Sequence, residues 1–231
     1  MSQDALKAQA AEAAVAEVTE GMVLGLGTGS TAALAVAALG RRVAAGLRVI
    51  GIPTSQVTAN QATALGIPLT TLAEHPAIDL TIDGADAVHT VTLDLIKGLG
   101  GALLREKIVA CASRRMIVIV DGSKLVADLG IDRSGSGVRL PVEIVPFGWQ
   151  ATRALLAAFV PDMVLRGRDG APYETDNGNY ILDCLLPIPD PAALATRLKS
   201  ITGVVDHGLF IGLATRVIAA TEHGVRILDR P

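Results

Sequence analysis

Apolar positions along the chain change their spacing in a way that predicts alternating helices and strands. In the alanine-rich stretch 3–19, Leu6, Ala10, Ala14 and Val18 share one face of a helical period, which predicts an amphipathic helix. Short apolar runs predict strands at 22–26, 47–52, 68–72, 80–82 and 116–120. Helical patterns intervene at 30–39, 56–65 and 103–113, the first with Ser30 or Thr31 as its cap and Gly40 as its stop. This alternation of strands with helices indicates a mostly parallel sheet covered on both faces.

Beyond Leu129, the stretch IDRSGSG reads as a linker or a mobile loop, and the pattern then changes. Strands at 140–145, 163–165, 180–186 and Val204, with helices at 149–159 and 191–200, run in the order β-α-β-β-α-β of a ferredoxin-like unit. The tail TRVIAATEHGVRIL reads as two strands joined at 222–224 that return to the first domain. The expected fold class is α/β: a Rossmann-like domain over 1–130 and 206–231, bearing a smaller α+β domain over 131–205.

Composition narrows the functional classes. The chain has 231 residues and is 50% hydrophobic, ample for a core, yet no apolar run approaches the roughly 18 residues of a membrane helix. The polar N-terminal stretch has no signal-peptide pattern, so a cytoplasmic location is expected. A net charge of −3 and an aromatic content of 3%, with no basic stripe, argue against nucleic acid. Cys111 and Cys184 read as buried thiols, and His75, His89, His207 and His223 are scattered, so no metal site is expected.

Candidate chemistry gathers just past predicted strand ends, where open parallel sheets bind ligands. GLGTGST (25–31) lacks the third glycine of a dinucleotide fingerprint, and the next strand ends without an acidic residue. A single phosphate suits it better: glycines allow close approach, a helix N-terminus supplies N–H donors, and Thr28, Ser30 and Thr31 add hydroxyls. The plainer alternative is a tight turn with a cap. DGAD (83–86) sets Asp83 and Asp86 three residues apart, as a ligand site or an ordinary turn. In KGLGGALLREK (97–107), Glu106 follows Lys97 by nine residues across a glycine-rich turn into a helix. There it either complements the helix dipole or, facing the aspartates, becomes a base whose proton affinity is raised by burial and repulsion. Lys124 in DGSK is a surface lysine or a ligand group, and Lys7 carries less weight still. IPTS (52–55) offers hydroxyls at a cleft rim, and DNGNY (176–180) is better read as a hairpin turn than as a calcium loop.

Taken in order, GLGTGST, IPTS, DLTIDGAD, IKGLGGALLREKI, LPVEIVPF, TDNGNYILD and GVVDHGLF resemble the ribose-5-phosphate isomerase type A family along almost the whole chain. The resemblance implies interconversion of ribose 5-phosphate and ribulose 5-phosphate in the pentose phosphate pathway, with no metal or organic cofactor, by a homodimer or homotetramer. It implies Glu106 as the base, with Asp83, Asp86 and Lys97 at the reacting end. It further implies substrate binding by Gly27, Thr28, Gly29, Ser30, Thr31, Gly84, Ala85, Gly98, Leu99, Gly100 and Lys124. The chain departs from the family pattern at Ala87, where an acidic residue is usual, at Leu99 within the glycine run, and in a longer DGAD-to-lysine interval. A sugar-phosphate sensor is disfavoured because Glu106 and Lys97 would be superfluous and no DNA-binding module precedes the first strand. An aminosugar deaminase is disfavoured because no histidine lies near these motifs.

Overall fold

A computed structural model describes residues 2–131 and 137–230, so most of the IDRSGSG stretch lies outside the described residues. The chain divides into two compact units. One takes in the residues up to Ala85, Arg105–Leu125 and those from Gly212 onward; the other takes in Asp86–Leu104 and Val126–Ile211.

The first unit holds a six-stranded sheet in the order Gly224–Asp229, Arg216–Thr221, Met116–Asp121, Leu80–Gly84, Val23–Leu26, Ile50–Pro53. All neighbours are parallel except the first pair, the antiparallel hairpin of the tail. Alternate residues serve opposite faces. Leu24, Leu26, Leu80, Ile82, Ile117 and Ile119 pack with Ala10, Ala14, Ala35 and Leu39 of the helices Gln3–Val15 and Ser30–Ala44. On the other face, Ile52 and Ile78 pack with Val109 of the helix Leu103–Cys111. Burial on both faces explains why Met116–Asp121 is buried at every residue and reads as an unbroken apolar run.

Three local expectations are corrected. The helix beginning at Ser30 does not stop at Gly40 but runs to Ala44. Gly40 marks a close approach instead, because a β-carbon there would lie 2.9 Å from Cβ of Leu65, just after the helix Gln56–Ala64. Nor is the helix Ser30–Ala44 capped by Ser30 or Thr31: its cap is Gly29, at φ 111°, with no side-chain hydrogen bond. The strand expected at 68–72 is reduced to a single parallel bridge between Gly51 and Leu69.

In the second unit, an antiparallel sheet runs in the order Val204–His207, Leu140–Ile144, Tyr180–Leu185, Asp162–Leu165. With the helices Trp149–Leu156 and Pro191–Lys199 it has the predicted β-α-β-β-α-β order. Leu140, Val142, Ile144, Leu182 and Cys184 form its core with Leu156 and Leu198. The unit also takes in 86–104, 126–130 and 206–211, which the sequence pattern had grouped with the first domain. Backbone pairing accounts for the first and last of these. Ala87–His89 pairs antiparallel with Leu95–Ile96, which pairs in turn with Leu209–Phe210, and Ala87, Ile96 and Leu209 enter the second core. Strands of two or three residues leave no periodic signal, so this segment was not separable by pattern.

Candidate active site

In the first unit, three of the predicted segments follow adjacent parallel strands and therefore emerge at one edge of the sheet. GLGTGST begins within Val23–Leu26, DGAD begins within Leu80–Gly84, and DGSK begins at the last residue of Met116–Asp121. The first two are joined directly. Gly27 N–H donates to the Ile82 carbonyl at 3.0 Å, and Oδ1 of Asp83 accepts the N–H groups of Thr28 at 3.1 Å and of Gly84 at 2.7 Å. Asp83 is fully buried, and the main chain at Gly27 passes so close that a β-carbon there would sit 2.2 Å from Oδ1 and 2.6 Å from Cα of Asp83. Gly27 thus makes room for the aspartate.

Thr28 turns its hydroxyl inward, within 2.7 Å of Thr54 Oγ1, 2.8 Å of Ser55 Oγ and 3.1 Å of Thr58 Oγ1. Thr54 and Ser55 are buried, so IPTS supports the loop from beneath instead of lining a rim. Gly29 and Ser30 are exposed, and Thr31 is half-buried at the start of the helix Ser30–Ala44. Lys7 donates from Nζ to Ser30 Oγ at 3.2 Å. A signal for Lys7 was present: with Ala10, Ala11 and Ala14 it falls on the buried stripe of the helix Gln3–Val15, where a solvated lysine has no place.

Lys124, half-buried, ends the short 3₁₀ turn Gly122–Lys124, whose cap is the Asp121 carboxylate. Burial alone would raise the pKa of Asp121. Hydrogen bonds from Ser123 and Gln3, with the charge of Lys124, outweigh it and hold the carboxyl below its ordinary value. Glu106 stands in the first turn of the helix Leu103–Cys111, on the same face as Leu103, Val109 and Ala110, and only 3% of it is exposed. A glutamate serving only the helix dipole would stay in water, because burying a carboxylate costs several kcal/mol unless other groups offset it.

The second unit carries Asp86 and the Lys97 turn. Asp86 N–H donates to Ile96 carbonyl at 2.8 Å, and its Oδ2 accepts Leu99 N–H at 2.9 Å. Lys97 is 2% exposed; its N–H donates to Gly208 carbonyl at 2.8 Å and its Nζ lies 5.4 Å from the centroid of the Phe210 ring. A buried ammonium over an aromatic face is favourable, which gives the GLF segment a reason that sequence spacing did not reveal. Gly98, at φ 102°, accepts Gly101 N–H at 2.9 Å and closes a turn whose tip, Leu99 and Gly100, is exposed. DNGNY is a tight turn as expected: Thr175 N–H donates to Asn179 carbonyl at 2.8 Å, with Gly178 at φ 74°.

The family model for ribose 5-phosphate isomerase A (phosphoriboisomerase A) matches residues 50–224. A ribose-5-phosphate isomerase A of Gloeobacter violaceus is 56% identical over 229 residues, covering 99% of this chain and 97% of that one. This chain belongs to the ribose 5-phosphate isomerase A family. The solved structure of the Methanocaldococcus jannaschii ribose 5-phosphate isomerase A is 41% identical with a TM-score of 0.92, covering 99% of this chain and all of that one. A D-ribose-5-phosphate isomerase solved in complex with phospho-erythronic acid is 37% identical with a TM-score of 0.93, each chain covered in full. The Gloeobacter match extends beyond the family-model match to include GLGTGST.

Among the described residues, no group of three or more His, Cys, Asp or Glu side chains is arranged to hold a metal ion. The expectation of two buried thiols holds for Cys184, whose pKa is pushed up to about 12, first by burial and then by the nearby Asp183 charge. It fails for Cys111, which ends its helix one step round from the buried face and is exposed. Among the described residues no helix is long and apolar enough to cross a membrane.

Proposed function

We propose that this chain interconverts ribose 5-phosphate and ribulose 5-phosphate in the pentose phosphate pathway, by proton transfer through a cis-enediolate. The observation that carries the reading is Glu106, a carboxylate buried on a helix face immediately after the glycine-rich turn. Glu106 removes the proton from C2 of the open-chain aldose, the C2–H electron pair forms the C1–C2 double bond and the carbonyl π pair moves onto O1; the hydroxyl proton of O2 passes to O1, and the same carboxyl returns its proton to C1 as the C2 carbonyl forms. Lys97 supplies positive charge to the enediolate oxygen, and Asp83 and Asp86 supply the acid and base that open the sugar ring.

The phosphate is taken by Gly27–Thr31, where the uncapped N-terminus of the helix Ser30–Ala44 offers N–H donors and positive potential. Ser30, Thr31, Lys124 and Lys7 complete the cradle. The remaining substrate contacts are Thr28, Gly84, Ala85, Gly98, Leu99 and Gly100. The complex of the solved relative with phospho-erythronic acid supports the enediolate reading, because a phosphorylated sugar acid has a carboxylate with the planar two-oxygen shape of an enediolate. No metal or organic cofactor enters the proposed steps. The reading includes a cytoplasmic homodimer or homotetramer, which sedimentation of the pure protein distinguishes from a monomer.

The test is conversion of ribose 5-phosphate to ribulose 5-phosphate in the presence of chelator, by the unaltered chain and by Glu106→Gln. Full activity in chelator is expected, with kcat lowered roughly 10²–10⁴-fold by the substitution and KM little changed. A folded Glu106→Gln protein with near-normal kcat would remove Glu106 from the role.

A further inference from the structure

We propose that Arg166 is a positioning residue that turns the backbone N–H of Gly100 toward the substrate and fixes Asp86 through the N–H of Leu99. The proposal rests on the isomerase reading above. Arg166 follows the strand Asp162–Leu165, and its guanidinium is forked onto Asp183 of the neighbouring strand Tyr180–Leu185, with Nε donating to Oδ2 at 2.9 Å and a second nitrogen to Oδ1. Both side chains are largely buried, which favours this fixed geometry. The remaining guanidinium nitrogen donates to two consecutive carbonyls, Gly98 at 3.1 Å and Leu99 at 3.0 Å.

Peptide geometry then dictates what lies on the opposite side. Among the described residues no peptide bond is cis, and in a trans unit the C=O and N–H point in opposite directions. Holding the carbonyls of Gly98 and Leu99 on Arg166 therefore turns the N–H groups of Leu99 and Gly100 away from it. Leu99 N–H is found there, on Asp86 Oδ2 at 2.9 Å. Gly100 N–H lies in the next peptide unit, at the exposed tip of the turn, and among the described residues it meets no acceptor. Two consecutive N–H groups directed to one side form a concave donor pair that binds negative oxygen. One donor is occupied by a carboxylate assigned to the reacting end, and the other is left for an oxygen of the substrate. A lysine at 166 would not suffice, because a single ammonium cannot fork onto Asp183 and reach both carbonyls.

A thermodynamic cycle on the full chain tests the coupling. One arm replaces the pair together, Arg166→Gln with Asp183→Asn, so that no lone charge is left largely buried. The other arm replaces the amide of Gly100 by an ester through nonsense suppression, which deletes the N–H alone. Each arm is expected to lower kcat about tenfold or more with KM held within about twofold, and the combination to cost clearly less than the product of the two single losses, because the share of the Arg166 effect that runs through Gly100 N–H is already gone in the ester. Losses that multiply, an ester with normal kcat, or a loss carried by KM alone would overturn the proposal. Arg166→Lys keeps the ion pair and gives an independent reading should the double substitution fail to fold. It is expected to show the same kcat loss, and full activity in it also overturns the proposal. Absence of isomerase activity in the unaltered chain would instead remove the underlying functional reading.

Discussion

Replacing Gly27 by alanine adds one methyl group at the place where the phosphate loop and Asp83 meet, and the geometry fixes the kind of damage expected. The new carbon would lie 2.2 Å from Oδ1 and 2.6 Å from Cα of Asp83, whereas β-carbons in real structures stay at least 3.0 Å from such atoms. The carboxylate can rotate, but the Cα belongs to the strand Leu80–Gly84, so the two strand ends must separate by several tenths of an ångström. Overpacking of this kind costs about 1–3 kcal/mol, which a folded domain survives. The separation pulls Thr28 N–H from its 3.1 Å bond to Asp83 and displaces a group assigned to the reaction.

Displacement of a reacting group by about 1 Å costs on the order of a hundredfold in rate. Gly27→Ala should therefore lower kcat by roughly 10–100-fold, with a melting temperature reduced by several degrees. Gly29→Ala is the control. A β-carbon at Gly29 meets nothing within 4 Å, but its φ of 111° strains any other residue, so that change should disturb the phosphate end and raise KM chiefly. Steady-state kinetics with ribose 5-phosphate, beside thermal melts, separates the two. A Gly27→Ala enzyme with normal kcat and an altered KM would refute the assignment of this glycine to Asp83 and return it to the phosphate.

Lys7→Met keeps the buried stem and removes the charge beside Ser30; it should raise KM for ribose 5-phosphate roughly tenfold or more with kcat nearly unchanged, and an unaltered KM would remove Lys7 from the cradle. Burial alone would raise the pKa of Glu17, but hydrogen bonds from Arg115 and Arg216 outweigh it and hold the group below its ordinary 4.5. A lowered folded pKa contributes stability above the unfolded value that is lost as pH falls through the folded one, so Glu17→Gln should flatten the loss of melting temperature between about pH 6 and pH 3. A thiol reagent should label Cys111 alone in the native protein and Cys184 only after denaturation; equal native rates would contradict the burial of Cys184.

What could be read in the sequence was whatever repeats over several residues or concentrates unusual residues in one place. Met116–Asp121 announced itself because every residue is apolar until the final aspartate, and GLGTGST because two glycines and three hydroxyl residues crowd one strand end. Tertiary contact decided the rest. Gly40 carries the signature of a helix stop, yet it is there for the neighbouring Leu65, a partner that no local rule can name. Phe210 and Arg166 are single residues far along the chain from the lysine and the turn they support, and neither changes the local pattern around it. Lys7 was readable in principle, since its place on a buried stripe contradicts its charge.

The strand Met116–Asp121 lies in the interior of its sheet only because Arg216–Thr221, from nearly a hundred residues later, pairs along it in parallel. On a ribosome, a nascent chain that has already emerged through Lys124 still presents that apolar strand with one open side until the final segment leaves the exit tunnel. Closure of the first unit is therefore a late event in synthesis, and messages truncated before residue 212 would yield chains with a bare sheet edge. Such products are candidates for chaperone capture and clearance.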